Sequence, residues 1–151
     1  MNNSPILRFF RSFRYAARGV RLCLRERNFR FHTVAAIYVL VLARHFLETS
    51  AQWCALILTI ALVLCAEGVN TAIEHLVDLA CPQQDRRAAN AKDAAAGAVL
   101  ICAVAAVAVA CILFLRWEPW RALFILWSEQ WWRPLLLFGS LAGALYLVFR
   151  K

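Results

Sequence analysis

The stretch Ala66-Glu67-Gly68-Val69-Asn70-Thr71-Ala72-Ile73-Glu74-His75-Leu76-Val77-Asp78 follows the apolar run 53–66 with no turn signal between them. On a helix, at 100° per residue, the spacings of 3, 4 and 4 put Glu67, Asn70, Glu74 and Asp78 within an arc of about 80°. Three acids on one stripe at the edge of a hydrophobic run are costly. An acid such as Asp at a membrane centre costs roughly 3 kcal/mol on insertion scales, and like charges one turn apart repel. The stripe persists where cations sit on it. Carboxylates, water and phosphate oxygens are the ligands Mg²⁺ takes, and a carboxylate at this boundary is placed to act as a general base near neutral pH. The plainer reading is a solvated helix end. It serves as well as the functional one for Asp78, and poorly for Glu67, which abuts the run 54–66.

Working outward, the whole chain reads as a membrane protein. Of its 151 residues, 63% are hydrophobic and 17% charged, and mean hydropathy is +0.62. Soluble domains run about half apolar and a quarter charged. Lys and Arg number 17 against 9 acids, a formal charge of +8. In so apolar a chain that excess points to anionic lipid headgroups and away from nucleic acid. The cysteines at 23, 54, 65, 81, 102 and 111 form no C-x-x-C pair and lie mostly in apolar runs, where Cys behaves as a small hydrophobe.

Residues 5–30 read as one amphipathic surface helix. Ile6, Phe10, Phe13, Ala17, Val20 and Leu24 form a narrow apolar stripe beside Arg11, Arg14, Arg18, Arg21 and Arg25, the pattern of a helix lying in the membrane interface. A cleaved presequence shares that composition. Apolar segments follow at 33–43, 53–66, 94–115 and 134–149. A span needs about 20 residues, so 94–115 qualifies outright and 33–43 must borrow from its flanks. The expected fold is an all-α integral membrane protein. It has a surface helix over 1–32, three core transmembrane helices over 33–115 and a fourth span within 116–151. Eight arginines precede the first span, Arg86, Arg87 and Lys92 lie between the second and third, and Arg150 and Lys151 close the chain. The positive-inside rule puts these segments and the N-terminus on the cytoplasmic side. Trp53, Trp117, Trp120, Trp127, Trp131 and Trp132 would then share the opposite interface as an aromatic belt.

Other residues are ambiguous alone. Lys92-Asp93 heads the third apolar segment: Asp93 could be an N-cap and Lys92 a snorkelling anchor, or together they could serve phosphate beside the acidic stripe. Glu26 is the sole acid among the first eight arginines. It could pair with Arg30 at i,i+4 or lend a carboxylate to the same site. No G-x-x-x-x-G-K-[ST] or G-x-G-x-x-G loop occurs, so a nucleotide would be held without a glycine-rich phosphate loop. His32, His45 and His75 have no metal-like spacing.

The patterns E-x-x-N-T-A-I-E-x-x-V-D (Glu67 to Asp78) and A-K-D-x-A-A (residues 91–96) resemble the prokaryotic diacylglycerol kinase family. Glu26-Arg27-Asn28-Phe29-Arg30-Phe31-His32 is similar to a box of its undecaprenol kinase branch. The resemblance covers about residues 8–115. It implies a homotrimer in the bacterial inner membrane, with active sites shared between subunits, where ATP and Mg²⁺ meet a lipid alcohol at the cytoplasmic interface. It further implies Glu67 as general base and Glu26 and Glu74 as metal ligands. Lys92 and Asp93 would contact ATP, with Arg8 and Tyr15 from the surface helix, and Asn70, Asp78 and Arg30 would support the site. The chain departs from the family pattern by one residue fewer between Gly19 and Glu26, and by Gln83 and Asp85 in the turn before Lys92. Gly139-x-x-x-Gly143, in the added C-terminal part, is a motif that can bring two helices close. Two other classes of function fit the acids: a non-catalytic membrane scaffold, and a cation or proton transporter using Glu67 and Glu74.

Overall fold

Ser4 begins the first element: its hydroxyl accepts a hydrogen bond from the Leu7 amide at 3.3 Å, a side-chain cap for one orphan N–H of the first turn. The computed structural model describes residues 4–150. The helix α1 spans Pro5–Cys23. Ile6, Phe10, Phe13 and Val20 stay exposed along it, as expected of a helix whose apolar side meets lipid. Its last turn meets the chain again: Cys23 Sγ lies 3.8 Å from where a Cβ on Gly68 would stand.

One helix over 5–30 is not what forms. The amides of Arg25 and Glu26 bond to Leu22 and Cys23 carbonyls at 3.0 and 2.9 Å, tightening the turn. Glu26 then takes an extended backbone as N-cap of α2, Arg27–Ala43. Residues 27–32 therefore open α2, where turning inward buries Phe29. With 17 residues, α2 is about 25 Å long at 1.5 Å per residue, short of the ~30 Å hydrocarbon.

A reciprocal capping box starts α3, Ser50–Ala80: Thr49 Oγ1 accepts from the Gln52 amide, and Gln52 Oε1 accepts from the Thr49 amide at 3.0 Å. Its 31 residues run unbroken from the apolar half through Glu67 and Asp78. Asp85 caps α4, Arg86–Phe114, accepting from the Arg87 and Ala88 amides at 2.6 and 3.1 Å. Asp93 is thus an interior helix residue and not an N-cap. The apolar run marks where hydrocarbon begins, and the helix starts two turns earlier in polar sequence.

The helices α3 and α4 make the largest interhelical contact. Where α3 begins and α4 ends, Ala43, Phe46, Leu47, Leu56, Leu113 and Phe114 form the main buried cluster, with Trp53 against it. The Phe46 ring lies edge-on to Phe114 and Trp120 at 5.1 and 4.9 Å, and Trp120 Nε1 donates to the Phe114 carbonyl at 2.8 Å. Trp53 and Trp120 therefore share one end of the bundle, as an aromatic belt requires. From there α5, Trp117–Glu129, leads into α6, Trp132–Phe149. The last helix returns along α2 in the opposite direction: Tyr38 bonds to Ser140 Oγ at 2.9 Å, and Arg30 reaches the carbonyl of Leu147. Gly139 and Gly143 have nothing within 4 Å of an added Cβ, so this pair packs no helix of the chain.

Among the described residues, three helices, α3, α4 and α6, are long and apolar enough to cross a membrane. Leu58, Leu100, Ile101 and Leu136 stand exposed on them, the arrangement of side chains whose solvent is lipid. All six cysteines are unpaired.

Candidate active site

Among the described residues, the buried polar or charged side chains are Glu67, Asn70 and Thr71, at 3%, 5% and 5% exposure. They lie on one face of α3, because positions 67, 70, 71 and 74 recur at the helical period. Opposite stands the junction of α1 and α2. Glu26, Arg27 and Asn28 from that junction, with Glu67, Asn70, Thr71 and Glu74 from α3, line a cavity of about 250 Å³. At ~30 Å³ per water this is room for about eight waters, enough for a hydrated ion and phosphate oxygens.

The cavity is rich in unmet acceptors. Asn70 Nδ2 donates to Glu74 Oε1 at 2.8 Å, which fixes the amide with its oxygen turned away. That oxygen, Oδ1, is buried and has no partner. A buried acceptor left unsatisfied costs about 1–3 kcal/mol, so the cavity wants a donor or a cation. Glu67 lies within electrostatic reach of His32, Glu74 and Glu26. Among the described residues, none of the three glutamates forms an ion pair with Arg or Lys. Glu26 has only His75 Nε2 at 4.0 Å, an exposed group.

No three His, Cys, Asp or Glu side chains among the described residues close around an ion. Mg²⁺ commonly takes one or two carboxylates and fills its octahedron with water and substrate phosphates. Of the cavity's lining, Glu26 and Glu74 are the carboxylates that would hold it beside Glu67.

The remaining sequence-derived residues lie elsewhere. Asp78 forms an ion pair with Lys92 of α4, in a wider cleft of about 640 Å³ that Gln83, Gln84, Asp85 and Arg86 also line. Eleven residues separate Asp78 from Glu67, about 16 Å along the helix, so the stripe divides between two recesses. Asp93 is exposed and lines neither recess. Arg8 and Tyr15 stand on α1 outside both, with Arg18 over the Tyr15 ring at 5.8 Å. Arg30 does not pair with Glu26: it donates to the carbonyls of Leu147 and Arg150 at 2.9 and 3.1 Å. Sequence reasoning passed over Thr71 and Asn28 as site residues. Thr71 sits four residues after Glu67, a spacing that was there to be read; Asn28 gave no such signal beyond its place in the box that begins at Glu26.

The chain's likeness to known proteins covers this machinery. A model of the family described as prokaryotic diacylglycerol kinase matches residues 14–114. An undecaprenol kinase of Bacillus subtilis is 42% identical over 115 residues, 76% of this chain and 94% of that protein. A diacylglycerol kinase of Synechocystis is 44% identical over 105 residues, 68% of this chain and 60% of its own length. One of Escherichia coli K12 is 31% identical over 113 residues, 74% of this chain and 93% of the other. The match holds both walls of the cavity and stops at the end of α4, which leaves α5 and α6 outside it. The chain belongs to the prokaryotic diacylglycerol kinase family and is a membrane lipid kinase.

Proposed function

We propose that the protein transfers the γ-phosphate of ATP to the hydroxyl of a membrane lipid alcohol, with Mg²⁺ as the required cation. Undecaprenol is the favoured acceptor, giving undecaprenyl phosphate; diacylglycerol, giving phosphatidic acid, is the second. The observation that carries the reading is a buried Glu67 sharing one cavity with Glu26 and Glu74, none of which forms an ion pair with Arg or Lys among the described residues.

In this mechanism Glu67 accepts the hydroxyl proton as the lipid oxygen attacks the γ-phosphorus. The bond to the β,γ-bridging oxygen breaks and ADP leaves with those electrons. Glu26 and Glu74 would hold Mg²⁺, which would supply charge neutralisation on the phosphate oxygens. Asn70 orients Glu74 through its 2.8 Å bond. Phosphoryl transfer needs little covalent work from a protein beyond such positioning and charge.

The nucleotide needs cations, and Arg27 is the one that lines the carboxylate cavity. Lys92, with Asp78, lies in the neighbouring cleft. A homotrimer with shared sites would present the lysine cleft of one subunit to the carboxylate cavity of the next; Asp93, Arg8 and Tyr15 would reach the nucleotide in the same way. The arginine-rich α1 and the Arg86–Lys92 end of α4 favour a cytoplasmic site in a bacterial inner membrane. The test is purified protein with Mg·ATP and detergent-dispersed undecaprenol or diacylglycerol in separate reactions. Phosphorylated undecaprenol, formed faster than phosphatidic acid, is expected; no product from either lipid refutes the reading.

A further inference from the structure

The helix α6 lies beyond the part of the chain shared with the family, yet it is fastened to the wall of the cavity. Arg30 Nη1 donates to both the Leu147 and Arg150 carbonyls, at 2.9 and 3.1 Å. These carbonyls belong to the C-terminal end of α6, where a helix leaves acceptors unsatisfied and favours a cation. Next to this clamp Val148 is 1% exposed and lines one small recess with Leu24, Thr33 and Val34. Two turns away Tyr38 holds Ser140. Arg30 is also the residue whose amide closes the first turn of α2 on the Glu26 carbonyl, at 3.1 Å. That turn carries Glu26, Arg27 and Asn28 into the cavity. It follows the three-residue break at 24–26, so along the chain no regular helix steadies it from the N-terminal side.

We infer that α6 is a positioning strut for the carboxylate cavity: through the Arg30 clamp and the seat of Val148 it fixes the turn that presents Glu26 to the metal. Arg30 is thereby a positioning residue and not a ligand. The inference rests on the proposed role of Glu26. Its added content is that a helix appended to the kinase core sets the affinity of the core for its cation. Outer groups that orient a ligand typically govern metal affinity by 10- to 100-fold.

The test uses the full chain in detergent with two variants that touch the strut from different sides. Arg30→Met removes the donor and keeps the stem; Val148→Ser loosens the seat of α6 without altering any residue of the cavity. Hydrogen exchange at the amides of residues 24–30 reports on the turn. Mn²⁺ affinity, read by electron paramagnetic resonance with a non-hydrolysable ATP analogue, reports on the site. Both variants should speed exchange in that segment and weaken Mn²⁺ binding roughly tenfold or more, and Arg30→Lys should restore part of the affinity. Unchanged exchange in either variant overturns the inference. So does faster exchange with unchanged Mn²⁺ affinity, which would make α6 merely structural, or weaker Mn²⁺ binding in Arg30→Met alone, which would make Arg30 act directly. A parent protein that binds no Mn²⁺ overturns both the metal role of Glu26 and the strut. A parent that binds Mn²⁺ normally but phosphorylates no lipid fails the proposed function alone.

Discussion

Replacing Glu67 by glutamine is the sharpest perturbation the structure offers. Glutamine keeps the size and planarity of the side chain while removing its capacity to take a proton. Glu67 is 3% exposed and faces the cavity. The neighbouring Asn70–Glu74 hydrogen bond does not involve it, so the cavity wall survives the change. General-base catalysis contributes typically 10²- to 10⁴-fold; a loss in the middle of that range, about a thousandfold in kcat, is expected, or about 4 kcal/mol at 1.36 kcal/mol per tenfold. Glu67→Asp keeps the carboxylate but withdraws it by one methylene. Displacement by about 1 Å can cost around a hundredfold, so this variant should fall between the two. The assay follows transfer of labelled γ-phosphate to undecaprenol in mixed micelles, beside size exclusion to show unchanged assembly. Glu67→Gln retaining more than a tenth of the parent turnover, with normal assembly, would refute the assignment of the base.

The other predictions bear on the rest of the site and the fold. Asn70→Ala frees Glu74 from its donor and should raise the Mg²⁺ concentration for half-maximal activity about tenfold, read from magnesium titrations of the kinase assay. Lys92→Met removes the partner of Asp78 and should raise KM for ATP at least about tenfold, since charge-assisted bonds are the strong ones, with KM for the lipid little changed; a rise in the lipid KM instead would refute a nucleotide role. Phe46→Ala opens the cluster between Phe114 and Trp120 at a cost of about 3–5 kcal/mol. It should lower the thermal midpoint in detergent while activity per folded molecule holds, because the cluster lies at the far end of α3 from the cavity.

How much could be read without the structure depended on what kind of information each residue carries. The stripe from Glu67 to Glu74 was legible because helical spacing is a local property, and α3 is continuous through it. The start of α4 was not, since hydrophobicity marks hydrocarbon and not helix; Asp85, the true cap, sits among polar residues that read as a turn. The break at Glu26 was invisible for a related reason. No glycine or proline stands between Arg21 and Arg30, and the turn exists because α1 and α2 take different directions, which is tertiary. Arg30 shows the limit most plainly. Its i,i+4 spacing from Glu26 suggested a local pair, and only the fold reveals two carbonyls 117 and 120 residues away as its acceptors.

Length explains why the acidic stripe splits. About 20 residues cross a ~30 Å hydrocarbon layer, and α3 has 31. If hydrocarbon begins at Ser50, at the Phe46 end, the crossing finishes near Asn70, which would put Glu67 and Asn70 at the boundary and Asp78 about 12 Å beyond it at 1.5 Å per residue. The two recesses follow from that arithmetic. Under the proposed function, the carboxylate cavity would then lie at the depth of a lipid hydroxyl and the Asp78–Lys92 cleft in water, at the depth of a nucleotide. A shorter α3 would bring the lysine to the glutamates, neutralise them, and draw the triphosphate toward hydrocarbon. The protruding helix keeps Lys92 apart from Glu67 and Glu74 within the subunit, the separation that the proposed division between metal and phosphate requires.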